Sequence, residues 1–214
     1  MARDDFYASL FGAAYSTYME RPWLSRLVAR LAWGADVAPY YASMAAIGRI
    51  TAGGTVVDCP CGAGPALRAL TPGQDLRYLA VDLSPAMLGR TEKKVRKRGL
   101  TQVELIRGAA TAIPLGDDRA DLFLSYWGLH CFEDPGAALV EAARVLKPGG
   151  RLVGSAILAG EDSRRQRLLV QAGKGDFGNP GTETEVKAWL EAAGFGAQSL
   201  RRSGPMLFFE AQLG

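Results

Sequence analysis

The sequence predicts an α/β fold in which a mainly parallel β-sheet carries helices on both faces. Three observations predict it. Short apolar runs alternate with helix-like segments from residue 55 onward. Two of these runs, residues 55–58 and 79–82, end in a carboxylate, Asp58 and Asp82. The first run feeds a turn that carries Gly62 and Gly64. Strands alternating with helices at this spacing imply βαβ units, and βαβ units imply parallel pairing.

The elements follow in chain order. Residues 5–50 are rich in aromatics and read as helical. Phe6, Leu10, Tyr15, Tyr18 and Met19 follow a helical period, and Leu24, Leu27, Val28, Leu31 and Trp33 form a second apolar stripe. Pro22 suits the first turn of that second helix, and Pro39 starts another that runs toward Ile50. After the strand at 55–58 comes a helix at about 64–70. The strand at 79–82 precedes a helix opened by Ser84 and Pro85, with Ser84 as N-cap. Residues 103–106 and 121–125 read as the third and fourth strands. A helix from Pro135 to Leu146 is ended by Lys147-Pro148-Gly149-Gly150, and residues 151–158 form a fifth strand. In the tail, residues 161–173 read as a polar helix and 174–181 as a glycine-rich loop. Thr182-Glu183-Thr184-Glu185 opens a further helix in the manner of a capping box. Strands at 198–202 and 206–212, joined by Ser203-Gly204-Pro205, predict an antiparallel hairpin. The division that follows is a helical cap at 1–50, laid over the ligand face, and a sheet domain at 51–214.

Composition narrows the function. The 214 residues are 48% hydrophobic and 22% charged, enough apolar material for one substantial core. A net charge of +3 is too small to argue for a nucleic-acid partner. The cysteines are three, Cys59, Cys61 and Cys131, without metal-ligand spacing, which fits reduced thiols in a cytoplasmic protein and no bound metal. The N-terminus lacks the apolar core of a signal peptide, and no apolar run reaches membrane-spanning length. A membrane partner is therefore not expected.

The chemistry-bearing stretch is Val56-Val57-Asp58-Cys59-Pro60-Cys61-Gly62-Ala63-Gly64. Gly62 and Gly64 let backbone approach a ligand closely, although Pro60 stands where a dinucleotide turn has its first glycine. By itself this turn is a weak signal, with a generic strand–turn–helix junction as the alternative. Asp82 lies 24 residues after Asp58, at the end of the next strand. A carboxylate there can accept both hydroxyls of a ribose, or serve only to cap the following helix. The joint occurrence favours a nucleotide site.

The ordered series 56–64, Val81-Asp82-Leu83-Ser84-Pro85-Ala86-Met87-Leu88, Gly108-Ala109-Ala110-Thr111-Ala112-Ile113-Pro114-Leu115, Leu129-His130-Cys131-Phe132-Glu133-Asp134-Pro135 and Ala143-Arg144-Val145-Leu146-Lys147-Pro148-Gly149-Gly150-Arg151-Leu152, continued by Leu190-Glu191-Ala192-Ala193-Gly194-Phe195, resembles the class I methyltransferases dependent on S-adenosylmethionine (SAM), in the group that includes ubiquinone and menaquinone biosynthesis. The resemblance covers about residues 50–213 and implies a Rossmann-like sheet with an antiparallel C-terminal strand. It implies that Asp58, Gly62 and Gly64 surround the methionine part of SAM and that Asp82 holds the ribose. It places Leu83 and Met87 beside the adenine and Ser125 under the methionyl group. Ala109 and Ala110 stand where the family often has an Asp-Ala pair, so an adenine-amino acceptor is missing there.

Methyl transfer from a sulfonium needs positioning and exclusion of water more than acid–base chemistry. For a hydroxyl acceptor a base helps, and His130, the only histidine, lies just beyond strand four. The alternative is a structural histidine that bonds the loop. Glu133 and Asp134 fit capping of the helix at Pro135. Tyr15, Tyr18 and Trp127, with His130, are candidates for binding the acceptor, and the N-terminal aromatics are equally a simple core. The basic run 90–98 reads as a solvated helix face, with an RNA- or membrane-facing patch as the sharper alternative. The expected activity is transfer of methyl from SAM to a small molecule, an O-methylation of a phenol, quinol, sugar or lipid hydroxyl. C- or N-methylation, or noncatalytic SAM binding, are the alternatives. A nicotinamide oxidoreductase fits poorly because of Pro60. No nucleic-acid partner is expected, and the oligomeric state stays open, a homodimer included.

Overall fold

The computed structural model describes residues 21–159 and 178–214. The expected first helix with Tyr15 and Tyr18, the polar helix at 161–173 and the start of the glycine-rich loop lie outside the described residues.

Helix α1 spans Pro22–Val28, with proline in its first turn, and continues as a π-helical turn over Ala29–Trp33. Gly34 ends it in the left-handed conformation that glycine adopts without Cβ strain. Helix α2 spans Ala38–Ser43 and tightens into a 3-10 turn over Met44–Arg49. The remaining elements are β1 (Gly54–Asp58), β2 (Leu76–Asp82), α3 (Pro85–Arg98), β3 (Val103–Arg107), β4 (Ala120–Tyr126), α4 (Pro135–Val145), β5 (Leu146–Ile157), α5 (Glu183–Ala192), β6 (Phe195–Ser203) and β7 (Met206–Leu213). Ser84 caps α3, Asp134 caps α4, and Thr182 with Glu185 closes a capping box on α5.

The seven strands are ordered β3-β2-β1-β4-β5-β7-β6. β1 to β5 pair in parallel, and β7 runs antiparallel to both β5 and β6. This is the mainly parallel sheet with an antiparallel C-terminal strand that the sequence predicts. Alternating strand residues point to opposite faces, so the strands feed two cores. Val56, Tyr78, Ala80, Leu122, Leu124 and Val153 join α1, α2 and the inner side of α3 on one face. Val57, Leu79, Val81, Phe123 and Leu152 join Leu139, Val145, Val186 and Leu190 of α4 and α5 on the other. Each such fully buried aliphatic side chain contributes about 1.5–3 kcal/mol.

Two local expectations are corrected. The helix at 64–70 is only a 3-10 turn over Ala66–Ala69. The Leu70 carbonyl is taken by the Arg98 guanidinium at 2.7 Å, and Pro72 keeps Thr71 out of helical conformation. The Lys147–Gly150 segment does not separate α4 from β5, because β5 already begins at Leu146. Leu146 pairs with Ala120 and Arg151 with Leu122, so the intervening residues bulge from the strand, with Gly149 at φ +75°.

Candidate functional site

Chain direction fixes where the site sits. From β1 the chain moves outward through β2 and β3, then returns to place β4 on the other side of β1. The strand order reverses between β1 and β4, and open α/β sheets bind ligands outside the carboxyl ends at such a point. The carboxyl ends of β1, β2 and β4 carry Asp58, Asp82 and Ser125.

The turn after β1 is held by bonds from two other elements, β2 and α3. The Cys61 N–H donates to the Val81 carbonyl at 2.8 Å. The Gly62 N–H donates to Asp82 Oδ2 at 2.8 Å, and the Ser84 N–H donates to Asp82 Oδ1 at 2.9 Å. Asp82 is therefore not the helix cap, a role that falls to Ser84. Thr91, fully buried in the second turn of α3, donates its hydroxyl to the Gly62 carbonyl at 2.8 Å. Gly62 and Gly64 both sit at positive φ, +53° and +72°. A Cβ at Gly64 would stand 2.8 Å from Leu67 Cδ1 and 3.1 Å from Thr91 Oγ1, whereas a Cβ at Gly62 would meet nothing within 4 Å. Gly64 is thus required for packing against α3. Among the described residues Gly62 borders open space.

Asp58 is 1% exposed, and the Tyr78 hydroxyl donates to its Oδ2 at 2.7 Å. Burial pushes its carboxyl up to about 7; the Tyr78 bond opposes this and the Asp82 charge adds to it. Burial and the same two acids push the Cys59 and Cys61 thiols well above their ordinary range. Both cysteines are inert packing groups at neutral pH. Among the described residues no cluster of His, Cys, Asp and Glu could hold a metal ion.

The residues expected beside the adenine separate into two kinds. Met87 is buried, while Leu83 is an exposed apolar side chain at the carboxyl edge. Ala109 and Ala110 lie in the turn after β3, half-buried. This turn is held from α4: the Ile113 N–H donates to Glu141 Oε1 at 2.7 Å, and Arg144 donates to the carbonyls of Leu115 (2.9 Å) and Ile113 (3.2 Å). Glu141 also pairs with Arg144 at 2.7 Å.

Beyond β4 the loop is tightly constrained. Trp127 has a left-handed backbone, φ +54°, uncommon for a non-glycine residue, and its N–H donates to the Ser155 carbonyl at 2.9 Å. Its ring lies against Tyr40 (5.4 Å between centroids) and Phe208 (6.2 Å), and Tyr40 stacks edge-on with Tyr126 at 5.1 Å. The buried Trp127 Nε1 has no hydrogen-bond partner among the described residues. Ser125 is buried, with its Oγ close to Gly128.

His130 is placed differently from a free base. It is buried, and its Nδ1 accepts the Ile157 N–H at 3.2 Å. Burial pushes the imidazole down to about 3. A neutral ring whose Nδ1 lone pair is engaged carries its hydrogen on Nε2, so that nitrogen donates rather than accepts. This arrangement does not fit the general base expected from the sequence. Three groups escaped the sequence reading: Tyr78, Thr91 and the Glu141–Arg144 pair. The visible signal for Tyr78 is its place four residues before Asp82, on the same face of β2; Thr91 has none in the local pattern.

The site fits SAM on observations of its own. Two carboxylates at adjacent strand ends suit a ligand that carries a cationic sulfonium and a ribose diol. Asp82 takes one backbone N–H at each of its oxygens, and a carboxylate oxygen carries two lone pairs. Among the described residues nothing lies within 4 Å of a Cβ at Gly62.

Known proteins resemble this chain in sequence and in fold. A family model described as a methyltransferase domain matches residues 57–154. Demethylmenaquinone methyltransferase of Bacillus velezensis is 36% identical over 103 residues, covering 47% of this chain and 44% of that protein. Arsenite methyltransferase of Halobacterium salinarum is 27% identical over 173 residues, covering 79% of this chain and 44% of that protein. The chain thus spans less than half the length of these curated relatives. Among solved structures, a SAM-dependent methyltransferase from Aquifex aeolicus superposes with a TM-score of 0.65 at 24% identity, over 94% of this chain and 98% of that one. Phosphoethanolamine N-methyltransferase 2 of Haemonchus contortus, in complex with SAM, superposes with a TM-score of 0.75 at 14% identity, over 100% of this chain and 60% of that one. At these identities the structural likeness speaks to the fold.

Proposed function

We propose that this chain, which carries the methyltransferase domain of the class I SAM-dependent type, transfers a methyl group from SAM to a small-molecule acceptor, an O-methylation of a phenol, quinol, sugar or lipid hydroxyl. The observation that carries the reading is the Asp82 carboxylate, held by the Gly62 and Ser84 N–H groups at the point where the strand order reverses. When bound, SAM supplies an activated methyl on a sulfonium. The chain's own residues then bind, orient and exclude water.

Asp82 accepts the ribose hydroxyls, and the open side of Gly62 admits the methionyl part. Asp58 provides negative charge at the end of β1, which a cationic ligand favours in the ionised form. Ala109 and Ala110 offer backbone rather than a carboxylate to the adenine. On the acceptor side, Trp127 Nε1 is a buried donor, and an unsatisfied donor of this kind costs about 1–3 kcal/mol. An acceptor oxygen in reach of it would relieve that cost. His130 serves better as a positioning residue than as a base, since its imidazole holds the Ile157 backbone and with it the end of β5. Tyr15 and Tyr18 keep their proposed place near the acceptor on sequence grounds alone. Relatives named for demethylmenaquinone support a flat, oxygen-bearing acceptor.

The test has two arms. SAM should raise the melting temperature of the protein and NAD should not, because a ligand that binds only the folded state stabilises it. A screen of phenolic, quinol, sugar and lipid hydroxyls with methyl-labelled SAM should transfer label to one class. Failure of SAM to bind rejects the site, and SAM binding without transfer to any hydroxyl, carbon or nitrogen acceptor rejects the activity.

A further inference from the structure

The described residues expose six large apolar side chains, and four of them lie on one short element: Trp23, Leu27, Val28 and Leu31 on α1 and its π-helical continuation. Trp23 is 66% exposed, Leu27 48% and Leu31 65%. These three recur at intervals of four residues, so they form one ridge along the outer face. The inner face is accounted for. Ser25 and Ala29 are buried, and the Asp36 N–H that follows donates to Ser203 Oγ at 2.7 Å.

Arginines flank the ridge. Residues 21–33 contain Arg21, Arg26 and Arg30 and no acidic residue, and all three arginines are exposed. Among the described residues the acid that pairs with them is Asp36, 3.9 Å from Arg26. Position matters as well. Ser203 ends β6 beside Met206, which pairs with Ile157 at the end of β5. The element is therefore anchored at the same edge of the sheet as Asp58, Asp82 and Trp127.

We propose that the outer face of α1 and its continuation, with Trp23, Leu27 and Leu31 beside Arg26 and Arg30, docks on an anionic lipid surface. Tryptophan and leucine enter the boundary between headgroups and acyl chains, and arginines keep their guanidinium groups among the phosphates while their stems add apolar contact. The arginines argue against a second copy of the chain as the occupant. An antiparallel twofold pairing of this helix places each flank against its own counterpart, and Arg26 and Arg30 would then face like charge. Docking would turn the carboxyl edge of the sheet toward the bilayer surface. The proposal departs from the sequence expectation of no membrane partner, and it does not depend on which acceptor is methylated.

Flotation with vesicles tests it. The full chain should float with vesicles of equal parts phosphatidylglycerol and phosphatidylcholine, and should bind pure phosphatidylcholine about tenfold or more weakly. Binding should fall as salt is raised. The double variant Leu27→Glu, Leu31→Glu should lose about tenfold or more in partition while its melting temperature stays unchanged. Arg26→Gln with Arg30→Gln should weaken binding to the anionic vesicles alone. The proposal is overturned if the wild type stays with the aqueous fraction, if both vesicle types bind it equally, or if the leucine variant still binds. It is also overturned if the leucine variant melts at a lower temperature, since the face is then covered by the chain itself. Conversion of a dimer to a monomer by that variant, read by sedimentation, would assign the face to a second copy instead.

Discussion

The Pro60 ring rests directly on Gly128: a Cβ at residue 128 would stand 2.3 Å from Pro60 Cδ and 2.9 Å from Ser125 Oγ. The turn after β1 and the loop after β4 therefore touch across the point where the strand order reverses. Pro60 replaces the usual first glycine of such a turn, and its ring fills the space that the absent side chain at 128 leaves. Gly128→Ala should push the two loops apart, lower stability by about 1–3 kcal/mol and weaken SAM binding together. Denaturant unfolding and calorimetry on the same variant check both effects. Unchanged SAM affinity would mean that the contact does not shape the site.

Asp58 and His130 should tilt stability with pH in opposite directions. The Asp58 carboxyl is raised in the folded state to about 7 from 3.8, so the fold binds the extra proton between these values and stability falls as pH rises through them. The His130 imidazole is lowered to about 3 from 6.5, so the unfolded chain binds the extra proton and stability rises with pH between these values. Each slope approaches about 1.4 kcal/mol per pH unit, and between pH of about 4 and 6.5 they oppose each other. Asp58→Asn should leave a stability that rises with pH in that window, and His130→Gln one that falls. Urea midpoints at a series of pH values decide it.

The same burial predicts the kinetic behaviour of His130. Methyl transfer should show no loss of rate between about pH 5.5 and neutrality that traces to this group, since its imidazole is already neutral there. His130→Gln should cost less than about tenfold in kcat, because positioning rather than proton transfer is lost. A fall of two or more orders of magnitude, with a rate that drops as the imidazole range is crossed, would restore the base.

Arg144 and Glu141 fix the loop after β3 from outside the site. Arg144→Leu frees the carbonyls of Ile113 and Leu115 and strands Glu141 at 13% exposure. The variant should lose about 1–3 kcal/mol of stability and bind SAM more weakly through its adenine end. Comparing the affinities of SAM and of methionine distinguishes a loosened adenine loop from a general loss.

Asp82→Ala removes the acceptor of two backbone N–H groups and the group proposed for the ribose. SAM affinity should fall by about 1–3 kcal/mol in a folded variant. Gly64→Val should be worse, since a branched Cβ at φ +72° meets Leu67 and Thr91 at once. Calorimetric titration with SAM, with circular dichroism as the control for folding, reads both.

Local chemistry made much of this molecule legible in one dimension. The alternation of strands and helices, the capping residues Ser84 and Thr182, and the carboxylates at the ends of β1 and β2 depend on neighbours a few residues away. So does the hairpin at Gly204. Each is written in a short window of sequence, and each stands in the structure within a few residues of its expected place. The exceptions are segments decided by distant partners. The helix expected at 64–70 shortens because Arg98 claims its last carbonyls, and β5 starts early because Leu146 finds Ala120.

The sequence alone determined which groups stand at the strand ends, because the period of a strand and the chemistry of a turn are local. The tertiary structure alone decided what those groups are. Asp58 holds its proton to near neutrality because packing excludes water and brings the Asp82 charge near it, against the opposing bond from Tyr78. His130 is an acceptor for Ile157 because the loop after β4 buries it against β5. Protonation state depends on solvent exclusion and on charges that approach through space, and a linear pattern of residues carries neither.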